Sequence, residues 1–135
     1  MGRFHFEIPK EFQEKLQRLE NIDEIAPKMI DEATPILEEA IRNRLELHKD
    51  TGALQKSLKK IKAKRTKSGA YYGSIVFKGK VIRNGKATSN YLKAIVLEYG
   101  SSKQPPRPFI KASIADCEKE VKDKMQEVFE REVGI

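Results

Sequence analysis

From Pro108 onward, apolar residues recur at helical steps. Ile110, Ile114, Cys117, Val121, Met125 and Val128 follow one another at intervals of four, three, four, four and three residues. That spacing puts the side chains on one stripe of a long α-helix, and such a stripe has to be buried against another element. A second stripe lies upstream in Met29, Ile30, Ala33, Ile36, Leu37, Ala40, Ile41 and Leu45. Between the two the period changes. Lys60, Lys62 and Lys64 alternate with Ile61 and Ala63, and Tyr71 to Lys78 reads as a partner strand across a Ser68-Gly69 turn. Gly79 and Asn84-Gly85 mark further turns, so these segments are expected to form an antiparallel meander. The expected fold class is α+β: a small antiparallel sheet of three or four strands packed against a long central helix and a C-terminal helix. Pro35 lies inside the central helix, where a missing donor predicts a kink or a restart.

The other elements are short. Phe4, Phe6 and Ile8 alternate with Arg3, His5 and Glu7 as in a half-buried strand. Pro9 ends it and opens a short helix carrying Phe12, Leu16 and Leu19. Asn21-Ile22-Asp23 reads as a break and a new helix cap, and Asp50-Thr51-Gly52 ends the central helix, with Asp50 or Thr51 placed to cap a turn through Leu54 and Leu58. Beyond a cap at Thr88 or Ser89, Tyr91, Leu92, Ile95, Val96 and Tyr99 suit a helix that Gly100 closes in the left-handed conformation. Residues 101–108 hold three prolines and are expected to form an irregular loop, after which Pro108 opens the last helix.

No internal repeat or linker interrupts this order, so one domain spanning residues 1–135 is expected. A chain of this length buries roughly 65–70% of the surface its unfolded form exposes. No run approaches the ~18 apolar residues of a membrane span, and neither a membrane nor a secretory signal is expected. Cys117 is the only cysteine, which excludes an intrachain disulfide and suits a reducing, intracellular setting. The net charge of +7 is unevenly placed. Residues 10–50 carry seven bases and eleven acids, residues 51–111 fifteen bases and one acid, and residues 112–135 four bases and seven acids. A basic middle, net +14, thus lies between acidic flanks of -4 and -3.

Chemistry is harder to find. His5 and His48, the only histidines, have no acid, thiol or second histidine at ligand or dyad spacing, and the eight glycines are scattered as turn residues. Cys117 falls on an apolar stripe as a small hydrophobe would. No catalytic residue, metal, cofactor or small-molecule substrate is expected. Lys59, Lys60, Lys62, Lys64, Arg65 and Lys67 form the densest basic patch, which suits either a solvated sheet edge or nucleic acid. Glu98 is the sole acid of the basic middle, and a local ion pair or a contact with a neighbouring subunit are the two roles open to it.

Two separated stretches are more specific. One is Thr51-Gly52-Ala53-Leu54-Gln55-Lys56-Ser57-Leu58. The other runs from Tyr91 to Leu97-Glu98-Tyr99-Gly100-Ser101 and resumes after the proline loop as Pro108-Phe109-Ile110-Lys111-Ala112-Ser113-Ile114. Together they resemble the HK-ninety-seven-type gene-product-ten family of bacteriophage tail components. That family has a Thr-Gly-x-Leu-x-x-Ser turn, a Glu-aromatic-Gly-Thr ending, a Pro-rich loop closing on Pro-Phe, and a long C-terminal helix. Ser101 stands where the family has threonine, and Ala112-Ser113 where it has Pro-Ala.

The resemblance implies a non-enzymatic structural subunit of a long-tailed phage or prophage, acting in head–tail joining or tail completion. Its partners would be further copies of itself and neighbouring neck or tail proteins, in the virion and, during assembly, in the bacterial cytoplasm. Glu98, Tyr99, Gly100, Ser101, Gln104, Pro105, Pro106, Arg107 and Pro108 are the expected partner-facing residues, because a stiff loop loses little entropy on docking. The alternative is a small basic nucleic-acid-binding domain.

Overall fold

A computed structural model describes residues 3–19, 21–48 and 52–134. In chain order the elements are β1 (Arg3–Glu7), α1 (Lys10–Leu16), α2 (Ile22–Glu46), α3 (Ala53–Ser57), β2 (Leu58–Arg65), β3 (Tyr71–Phe77), β4 (Lys80–Arg83), β5 (Lys86–Ser89), α4 (Asn90–Tyr99) and α5 (Phe109–Val133). The expected α+β class is the one observed. Asp50 and Thr51, the expected caps after the central helix, lie outside the described residues.

Helix α2 is the spine, because its apolar stripe serves two clusters. Ile25, Ala26, Met29, Ile30 and Ala33 pack with Ile8, Phe12, Leu16, Met125, Val128 and Phe129. Ile41 and Leu45 pack with Leu58, Ile75, Phe77, Ala94 and Phe109. This division also explains what happens at Pro35. The expected restart does not occur, since one helix runs from Ile22 to Glu46 with both Pro27 and Pro35 inside it. A proline in a helix interior costs about 3 kcal/mol. Burial of several large side chains on either side, each stabilising by about 1.5–3 kcal/mol, outweighs that.

The sheet has the order β1-β3-β2, both pairs antiparallel. Its middle strand is buried from Gly73 to Phe77. Gly73 is needed there for space: a Cβ would lie 2.3 Å from the Phe6 ring and 2.9 Å from an Ile30 methyl. The expected meander stops after β3. Gly79, at φ 83°, turns the chain, the Asn90 side-chain amide donates to the Lys78 carbonyl (2.8 Å), and β4 and β5 pair only with each other as a separate ribbon. Its turn has positive φ at both Asn84 and Gly85, as a two-residue hairpin with right-handed strand twist requires.

The buried face of α5 follows the expected stripe at Cys117, Met125 and Val128 but differs from it near the start of the helix. Phe109, Ser113 and Cys117 face inward over the first turns, while Ile114 is 48% exposed. Phe109 sets this phase by stacking edge-on against Phe77, with ring centroids 6.1 Å apart. Ser113 can take an apolar position because its hydroxyl donates to the Phe109 carbonyl one turn back (2.6 Å).

Candidate docking groove

The two stretches that carry the motif resemblance meet in space. Gly52, at φ 78° and ψ 6°, turns the chain into α3, and Ser57 closes that turn by donating its hydroxyl to the Leu54 carbonyl (2.8 Å). Opposite it, the Ser89 hydroxyl accepts the Leu92 amide (3.0 Å) and starts α4. Between α3, the end of α2 and α4 lies a groove of about 420 Å³. Leu45, Leu54, Leu92, Val96 and Leu97 supply its apolar wall, and His48, Gln55, Lys93, Gln104 and Arg107 its polar one. Among the described residues no carboxylate lines it. Leu92 is 51% exposed, so part of the apolar wall faces solvent.

The proline loop leaves this groove along one side and is held at both ends. Gly100 does close α4, but not in the left-handed helical conformation: its φ of 78° is joined to a ψ of 178°, a region open essentially to glycine alone. A Cβ there would lie 2.7 Å from the Pro106 nitrogen. The Ser101 amide donates to the Gln104 carbonyl (2.9 Å) and the Arg107 amide to the Leu97 carbonyl (2.7 Å). Residues 101–108 are exposed throughout, as is Tyr99. The loop therefore presents Ser101, Gln104, Pro105, Pro106, Arg107 and Pro108 outward on a frame of short hydrogen bonds.

Glu98 is the exception among the expected interface residues. It is buried, and its carboxylate accepts the Ile110 amide (2.7 Å) and the Lys111 amide (3.3 Å) at the start of α5. Within the chain, among the described residues, it makes no ion pair; its carboxylate caps the next helix. The need for such a cap was legible in Pro108, which occupies the cap position and has no side chain to serve it.

The basic patch is elsewhere. Lys59, Lys60, Lys62, Lys64, Arg65 and Lys67 are all exposed along β2 and its following turn, and none lines the groove. Arg65 alone is engaged, with Asp23 (3.5 Å) and over the Tyr71 ring.

The structure also joins two residues that no local spacing could join. His5 Nδ1 and Ser74 Oγ are 2.8 Å apart, 69 residues distant in sequence, and the Tyr72 ring stands edge-on to His5. Ser74 is 1% exposed on the central strand, which gives an incoming substrate no approach to its hydroxyl. The pair holds β1 to β3. His48, the other histidine, stands on the groove wall. Cys117 is buried, and burial together with the neighbouring Glu120 pushes its thiol above the usual range, away from thiolate reactivity. Among the described residues no cluster of metal-ligating side chains occurs, and no helix is long and apolar enough to cross a membrane. No family model, no curated protein and no solved structure matches the chain.

Proposed function

We propose that this chain is a non-enzymatic structural subunit of a long-tailed bacteriophage or prophage, docking on its neighbours at the head–tail junction through the groove and the proline loop. The supporting observation is convergence. Gly52 to Gln55 from one of the stretches that carry the resemblance, and Leu92, Lys93, Val96 and Leu97 from the other, line one groove, and the loop that follows is exposed and tied at both ends. A concave surface with apolar walls beside a stiff loop suits protein docking, where ordering costs on binding are kept small.

Complementation of a phage lacking the gene tests this. Replacing Gln104–Arg107 with Gly-Ser, or Leu92 with Asp, is expected to leave the thermal melt close to that of the parent and to lower the yield of joined particles. Undiminished yield from both variants would remove the groove and loop from the junction.

A further inference from the structure

Helices and sheet treat their charges differently in this chain. On α2 and α5, Lys28, Arg42, Arg44 and Arg131 each meet a carboxylate within ion-pair distance. By contrast, Lys59, Lys60, Lys62, Lys64, Lys80 and Lys86 are exposed and, among the described residues, make no ion pair. The one acid of the basic middle cannot neutralise them, because the Glu98 carboxylate is buried on the α5 amides. Exposed like charges gathered in this way raise a local positive potential that a polyanion can neutralise.

Shape narrows the partner. β2 is an edge strand of eight residues, about 26 Å long at ~3.3 Å per residue. That is comparable with one turn of B-form duplex, about 34 Å. The β4–β5 ribbon stands outside the three-stranded sheet, although an isolated two-stranded ribbon is only marginally stable in water. A two-stranded ribbon is also an element that the major groove of DNA, about 12 Å wide, admits, whereas the major groove of double-stranded RNA is too narrow. Beside the ribbon's turn Ile82 is 73% exposed. An apolar side chain there can contact thymine methyls or press between base steps. Residues 59–70 contain no aromatic ring. Tyr71 and Tyr72, opposite Arg65 and Lys64 across the ladder, are half-buried and already packed on Arg65 and His5, which leaves little ring face for unpaired bases and favours a duplex.

We propose that the β2 edge and the β4–β5 ribbon form a docking surface for double-stranded DNA: the β2 lysines meet phosphates, and the ribbon enters the major groove with Ile82 against the bases. None of these lysines lines the groove between α3 and α4, so this contact is separate from the assembly reading and can fail without it.

The test is fluorescence anisotropy of a labelled duplex titrated with the full chain between ~50 and ~200 mM salt. Saturable binding is expected, with log affinity falling against log salt by about 0.9 per phosphate contacted. K59E/K62E/K64E is expected to flatten that slope by about one for each lysine that meets a phosphate. Ile82→Ser is expected to weaken binding and leave the slope unchanged. These residues are exposed, so circular dichroism and melts of the variants should match the parent. Absence of saturable binding at ~50 mM salt, or charge reversals without effect, would overturn the proposal. So would displacement of the duplex by polyglutamate at equal charge concentration, which would identify an acidic protein as the partner instead.

Discussion

Gly100 is held where its φ of 78° and ψ of 178° admit almost no other residue, and the Pro106 ring closes the space a side chain would need. Gly100→Ala should therefore destabilise the fold by about 1–3 kcal/mol of backbone strain, with the steric cost added. Gly52 has an ordinary left-handed helical conformation, and Gly52→Ala should cost roughly 1–2 kcal/mol. Paired thermal melts check both; equal melting for Gly100→Ala and the parent would mean that the loop relaxes freely. Glu98→Ala should cost about 0.5–2 kcal/mol as a lost helix cap, with faster hydrogen exchange at the Ile110 and Lys111 amides. Glu98→Gln, which keeps one acceptor oxygen, should lie between. The two glycines were legible as positive-φ positions from their place after helical and turn signals. The role of Glu98 was not, because it depends on how α4 meets α5, and that meeting is set by the proline loop.

At the scale of the element, α2 and α5 are joined by packing and by charge. Arg44 forms a forked pair with Asp116, Arg131 bonds Glu32, and Lys28 bonds Glu132 (3.1 Å). Each carboxyl is held below its ordinary range first by the hydrogen bond from its partner. A depressed carboxyl pKa stabilises the fold fully above the unfolded value, and that contribution is lost as pH falls through the folded one. Melting temperature should thus stay level from neutral pH to the ordinary carboxylate range and fall below it. Arg44→Gln should shrink the acid-side fall, measured by melts across that window. The pairs are exposed, so salt should weaken their effect. Both long helices were legible from their periodicity, and the inner face of α5 was misjudged only at Ile114. Apolarity alone chose Ile114; the structure instead buries Ser113, whose hydroxyl is satisfied within its own helix. Similarly, the strands were legible but the partition into sheet and ribbon was not, because it rests on a turn at Gly79 and a side-chain bond from Asn90.

Taken whole, the molecule separates two surfaces: a groove and loop built around α4, and a basic sheet edge with its ribbon. The basic surface could be read from charge counts, since no packing is needed to place lysines outside. The groove could not, because its walls come from α2, α3 and α4 and meet only when Leu45, Leu54 and Val96 do. The pairing of β1 with β3 also bears on how the chain reaches this state. During synthesis β1 leaves the ribosome long before β3 exists, and α2 can form in the interval, so sheet closure is a late, long-range event. Until then β3 presents Ile75, Val76 and Phe77 beside an unpaired edge, the kind of segment that invites intermolecular strand addition. Deleting residues 1–8 should therefore yield aggregates more readily than a monomer with one strand fewer, as light scattering during refolding would show. The N-terminal strand would then act as the chain's own protection against amyloid-like stacking.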